Sequence, residues 1–510
     1  MPRYESVCRQ PGGRERTAVL RKAVSLVSAA AIASLSITSA TATQYPGPKK
    51  RYLGGKKLEL CDQGSFFVGG VLKTTNYTSV PATATPQTVT VGQMYVSFQI
   101  PAKYRDYPVI MISGGGHTGA CLESTPDGRE GWGHYAVRHG IPTFIVDQSG
   151  RGRSGFDSTS ILEGKAKLTD GDPTNDAEGA ALIPPMLSFG PSAAYTAWFG
   201  HLVDPATGLA RVPPPSNILT DQLVPHGNPL DTNVGHDPGV RPQYPLTTIS
   251  EPIEPDNIVR TGSWGPAPYG PAAAYKLDYY KQIVPNAEST LPGSICPSCT
   301  PQNLIGGFGS GNTWTSRNLA ELVEALGRNY GGAIVATHSQ SGPIGHHAVR
   351  ILRDRGNLHY LKGLVTVEGV SCSLAAHGLN AADFDNVPYM VLKGDYTGTN
   401  ASCVDTVNAV KARRTAGQGK AAVELMHLDE APNAAMAWPA PLKRPIMKGI
   451  THMMMLGSDE GYGYDSSDIM AVILKWSDKY IKKPSKTFDC NDDDDHHDDD
   501  DDDRGGRDRR

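Results

Sequence analysis

The sequence predicts an α/β architecture: a mainly parallel, doubly wound sheet carrying one large insertion. Three observations predict it. Compact apolar runs of strand length recur at 107–113 (YPVIMIS), 142–146, 361–367 (LKGLVTV) and 389–393 (YMVLK), as strands buried on both faces require. Stretches of helical period alternate with them over 316–328, 343–350 and 467–481. From about Phe156 to Trp314 the periodicity lapses into Pro, Gly, Asn and Asp with scattered aromatics, and so long a stretch inside a compact domain reads as an inserted cap.

Composition sets the bounds. A chain of 510 residues, 39% hydrophobic and 20% charged, buries a large core, and its 56 Gly and 39 Pro argue for many turns rather than a helical bundle. The formal net charge of −4 argues against a nucleic-acid partner. The last 20 residues hold eleven Asp against four Arg, a charge of −7, which leaves the rest at +3. That acidic stretch has no apolar surface to bury, so 486–510 is expected to be disordered.

Residues 1–42 read as an export signal: Arg14, Arg16, Arg21 and Lys22, then an apolar run to Ile37, then Ala40-Thr41-Ala42 as a small-residue cleavage site. A secreted protein, extracellular or periplasmic, follows, and no later run is apolar enough for a membrane span. Export permits disulfides. Cys372 and Cys403 follow successive candidate strands and are the first expected pair; Cys296-Pro-Ser-Cys299 suits a short-loop disulfide better than zinc.

The core divides into 43–155 and 315–485, flanking the cap at 156–314. Residues 64–72 and 91–100 alternate as strands and open the sheet antiparallel. The run 107–113 ends in Gly114-Gly115-Gly116, whose bare backbone can approach a ligand closely and turn N–H groups toward it. After 142–146 comes Asp147-Gln148-Ser149-Gly150-Arg151-Gly152-Arg153; it lacks the spacing of a phosphate-binding loop and reads as a turn in which Asp147 and the arginines tie loops together. Leu319, Leu322, Val323 and Leu326 share one helix face, with Asn318 and Glu321 as an expected capping box. The next strand, about 334–336, runs into a turn with Ser339 at its apex and a helix beyond. Residues 421–428 are expected to be the last strand, and 467–481 the closing helix.

A strand–turn–helix of this kind lifts a serine hydroxyl clear of the backbone. Here it reads Thr337-His338-Ser339-Gln340-Ser341, with Thr and Ser where the usual G-x-S-x-G has glycines. A nucleophilic serine needs a base and an orienting acid. His452 follows the last strand, and Glu368 and Asp395 each end an earlier one. Sequence mechanics alone favour Asp395 slightly.

The stretches GQMYVSFQIP (92–101), STPDGREGW (124–132), IVDQSGRGRSG (145–155), THSQSG (337–342), VTVEG (365–369) and THMMM (451–455) resemble the secreted bacterial serine esterases of the Alcaligenes type, within the α/β-hydrolase superfamily. The resemblance implies the α/β-hydrolase fold and cleavage of a small-molecule carboxylic ester without a cofactor or metal. It implies Ser339 as nucleophile, His452 as base and Glu368 as acid, with Asp395 the alternative, and the backbone N–H groups of Gly115 and Gln340 as oxyanion donors. Transfer of the acyl group to an alcohol, lactone or amide cleavage, or a non-catalytic binding protein on the same fold are the competing readings. Substrate-binding residues and oligomeric state are not legible.

Overall fold

A computed structural model describes residues 57–104, 106–125, 129–183, 202–203, 222–223, 282–283, 304–305, 309–310, 314–394, 400–448, 450–457, 465–484 and 488–490. The expected export segment 1–42, most of the expected cap with its aromatics, Cys296, Cys299, Asp395 and the acidic tail lie outside these residues.

Nine strands form one sheet: β1 (Leu60–Thr75), β2 (Gln87–Pro101), β3 (Val109–Ile112), β4 (Thr143–Asp147), β5 (Ala333–His338), β6 (Leu361–Val367), β7 (Tyr389–Lys393), β8 (Val423–His427) and β9 (Ala437–Trp438). Their spatial order is β1-β2-β4-β3-β5-β6-β7-β8-β9. β4 through β8 pair in parallel, whereas β1 with β2, β2 with β4, and β8 with β9 are antiparallel. Two expectations change. β9 lies in the Pro- and Ala-rich stretch beyond 421–428, so that run is not the last strand. The opening hairpin is also longer than its alternating cores, because β1 is an edge strand with a largely exposed face that carries no apolar signal.

The helices are α1 (Ala120–Glu123), α2 (Trp132–Arg138), α3 (Thr159–Thr169), α4 (Asp176–Ala181), α5 (Trp314–Tyr330), α6 (Ser341–Asp354), α7 (Ala401–Thr415) and α8 (Ser466–Tyr480). Alternate strand residues feed two separate cores. Val109, Met111, Ile334, Ala336, Met390 and Leu392 pack on the face that holds α2 and α8. Ile110, Ile112, Val335, Tyr389 and Val391 pack against α5, α6 and α7. On α5, Leu319, Leu322, Val323 and Leu326 are buried, each contributing about 1.5–3 kcal/mol.

α5 starts before the expected capping box, so Asn318 lies inside the helix and caps nothing. Its Nδ2 donates to the Gly92 carbonyl (2.7 Å) and to Ser149 Oγ (3.0 Å), tying the helix to the turns after β4 and within β2. A buried amide with two partners outweighs an exposed cap. Cys372, in the loop after β6, is disulfide-bonded to Cys403 of α7. Asn400, of the Asn-Ala-Ser sequon, caps α7 by accepting from the Ser402 N–H at 3.0 Å. No described helix is long and apolar enough to cross a membrane.

Candidate active site

The parallel strands end on one edge, and the predicted residues gather there. Ser339 follows β5 and Glu368 follows β6. Their φ angles are 54° and 48°, and no other described non-glycine residue has a positive φ. Each such residue costs about 1–2 kcal/mol, and the surrounding ladder holds both. The Ser339 N–H donates to Val367 O (2.9 Å), the Glu368 N–H to Leu392 O (2.9 Å), and the Val370 N–H to Ser339 O (3.1 Å).

The departures from the usual glycine pattern have packing counterparts. Ser341 Oγ accepts the His338 N–H at 2.7 Å and lies 3.0 Å from Ile112 O, so the hydroxyl ties the ends of β3 and β5. The methyl of Thr337 is accommodated by Gly345, where an added Cβ would come within 2.8 Å of it. Gly114 is constrained more sharply: its Cβ would lie 2.7 Å from that of Ser339, so the loop after β3 closes on the serine only with a bare backbone here.

His452 Nε2 is 2.9 Å from Ser339 Oγ, and its Nδ1 is 2.8 Å from Glu368 Oε2. A carboxylate only accepts, so Nδ1 carries the hydrogen and the Nε2 lone pair receives the serine hydroxyl. Glu368 Oε1 accepts the Gly394 N–H at 2.7 Å. All three side chains are buried, with Ser339 the most accessible at 9%. A hydroxyl, an imidazole and a carboxylate so arranged can move a proton from oxygen to nitrogen while the carboxylate stabilises the imidazolium.

The loop bearing His452 is fastened from several sides. His338 Nε2–H donates to the His452 carbonyl at 2.8 Å, and Arg129 donates to Leu456 O (3.1 Å) and Gly457 O (2.9 Å). Met453, Met454, Met455 and Leu456 are buried, which accounts for the apolar run after the histidine. Burial holds the His338 imidazole well below its ordinary pKa. His117 Nδ1 donates to the Gly115 carbonyl at 2.9 Å, and burial lowers its pKa to about 4.

The backbone N–H groups of Gly115 and Gln340 engage no other described residue. Asp147 is structural: it pairs with Arg153 at 2.9 Å and accepts the Gly119 N–H at 2.7 Å. His346 and His347 are buried on α6 away from the row, and Asp395 lies outside the described residues. As expected of the arginines in this turn, Arg151 ties loops together, contacting Gly114, His117 and Gln340. The contributor that spacing did not foresee is His338 as a backbone anchor. Among the described residues no cluster of His, Cys, Asp and Glu is arranged to hold a metal. A cavity of about 420 Å³ lined by Phe98, Glu123, His134 and Ile145 contains no residue of the row, and the Arg153 guanidinium engages its Glu123 carboxylate at 2.8 Å.

No family model matches the chain. A stretch of 62 residues is 42% identical to a probable secreted lipase, phiG, of a fungal species (strain ATCC 74256); it spans 12% of this chain and 17% of the length of that relative. A bacterial esterase solved at atomic resolution superimposes over 84% of this chain and 98% of its own, with a TM-score of 0.52 and 24% identity. Esterase Est22 covers 70% of this chain and 72% of its own at 10% identity, with a TM-score of only 0.23. The strand order, the parallel centre flanked by helices and the superposition on the bacterial esterase together give the chain the fold of the α/β hydrolases.

Proposed function

We propose that the protein is a secreted serine hydrolase that cleaves small carboxylic esters through an acyl-enzyme. The observation that carries this is the His452 imidazole, within hydrogen-bond reach of Ser339 Oγ at 2.9 Å and Glu368 Oε2 at 2.8 Å. The similar proteins, a bacterial esterase and a probable secreted lipase, agree with it. The basic, then apolar, then small-residue order of 1–42 supports export.

In this mechanism Ser339 Oγ attacks the ester carbonyl carbon while His452 Nε2 takes its proton. The carbonyl electron pair moves onto oxygen, and the Gly115 and Gln340 N–H groups donate hydrogen bonds to the resulting oxyanion. Collapse expels the alcohol, protonated by His452, and leaves an acyl group on Ser339. Water, deprotonated by His452, then attacks the acyl carbon, and the carboxylic acid departs as the Ser339 hydroxyl is restored. Glu368 stays ionised and stabilises the imidazolium in both halves.

A fluorophosphonate probe is expected to label Ser339, and Ser339→Ala to lose both labelling and hydrolysis of short nitrophenyl esters. Labelling that persists in Ser339→Ala, or is absent from the wild-type protein, would count decisively against this reading.

A further inference from the structure

Arg151 belongs to the turn after β4, outside the serine–histidine–glutamate row, and is only 2% exposed. Its Nη1 donates to the carbonyl oxygens of Gly114 (2.7 Å) and His117 (3.2 Å), and its Nη2 to Gln340 Oε1 (2.9 Å). The Gly114 carbonyl and the Gly115 N–H belong to one planar trans peptide, so they point in opposite directions. A guanidinium that fixes the carbonyl therefore fixes the direction of that N–H. The same cation polarises the peptide and strengthens its N–H as a donor. On its other side it grips the side chain of Gln340, whose own N–H is the second proposed donor.

The local sequence makes such a brace necessary. Gly114, Gly115 and Gly116 are consecutive, and Gly116 already sits at φ 72°. A run of glycines has the widest choice of backbone conformations, and an oxyanion donor is useful only if its direction is set before charge develops.

We propose that Arg151 is the positioning residue that sets both oxyanion donors at once, joining the loop after β3 to the residue after the nucleophile. The proposal rests on the serine-hydrolase reading. Lysine does not replace it, because a compact ammonium lacks the planar fork that spans a carbonyl and a side-chain amide together.

The test compares wild type with Arg151→Lys, Arg151→Met and Gln340→Leu, the last of which keeps the peptide N–H but removes the acceptor. Values of kcat and KM are measured on p-nitrophenyl acetate, together with inhibition by a trifluoromethyl ketone, which forms an oxyanion on the serine. Expected are a kcat about 10²-fold lower in Arg151→Lys, the size of losing one donor, a KM within about threefold of wild type, and a parallel loss of ketone affinity. Gln340→Leu loses about tenfold, and adding it to Arg151→Lys costs nothing more, since both break one contact.

A folded Arg151→Lys enzyme with undiminished kcat, or one whose loss lies entirely in KM, overturns the proposal. Should the Arg151 variants fail to fold, unchanged kcat and ketone affinity in Gln340→Leu overturn it alone. A wild-type protein that turns over no ester fails the hydrolase reading itself, and the role of Arg151 falls with it.

Discussion

Ser339 and Glu368 hold backbone conformations that L-residues avoid, and they do so side by side. β5 and β6 pair His338 with Val367, so the next residue on each strand leaves the sheet at the same level. The two left-handed turns throw a hydroxyl and a carboxylate toward one imidazole. This juxtaposition was only half legible in the sequence. Strand ends are marked by apolar runs that stop, which located Ser339, Glu368 and Asp395 alike. Choosing between the acids depends on register and on a positive φ, and neither leaves a periodic trace. Glu368→Gln is expected to lower kcat by about 10³–10⁴-fold, as loss of an orienting acid does, while Asp395→Asn stays within about tenfold. Steady-state kinetics on one nitrophenyl ester compare the two; the opposite ranking would transfer the role to Asp395.

At the scale of elements, the loop after β6 is pinned to the start of α7 at two places. Asn400 Nδ2 donates to Val370 O at 2.9 Å, and the Cys372–Cys403 disulfide closes a segment of 31 residues. A cross-link over such a loop contributes about 2–4 kcal/mol, chiefly by restricting the unfolded chain. Cys372→Ser with Cys403→Ser should therefore lose about that much stability in urea without reductant, and adding reductant to the wild type should reproduce the loss. An unshifted midpoint would mean the bond constrains nothing. Strands with apolar runs, such as Leu361–Val367 and Tyr389–Lys393, were readable to the residue, because a strand buried on both faces is mostly apolar. Asn318 was misread because its partners, Gly92 and Ser149, are distant in sequence. β9 escaped notice because two residues among prolines carry no period.

Across the whole molecule, the second core holds three buried histidines on and beside α6. His347 Nε2 is 3.1 Å from His377 Nδ1, His346 Nε2 is 3.1 Å from the Tyr389 hydroxyl, and His377 Nε2 is 3.3 Å from Ser371 Oγ. Burial lowers their pKa values to about 4 for His346, about 2 for His347 and about 3 for His377, with the Arg350 cation adding to the effect on the last two. In the unfolded chain they titrate near 6.5. The folded values are the lower ones, so below about pH 6.5 the unfolded chain binds protons that the fold refuses. Their contribution is complete above that pH and declines on acidification, by up to about 1.4 kcal/mol per histidine per pH unit. Urea midpoints should fall steeply from pH 6.5 to pH 5, and His347→Gln should flatten the slope; identical curves for the two proteins would show that His347 takes up its proton equally in the folded and unfolded states.

The segment bearing His452 lies 113 positions beyond Ser339, and it is fastened by Arg129 and His338, which are made earlier. A ribosome therefore finishes the hydroxyl well before the imidazole that, in the proposed mechanism, accepts its proton. Throughout that interval the nascent chain carries an ordinary alcohol at the apex of a turn. On the proposed chemistry, reactivity waits until the segment that carries His452 has been made.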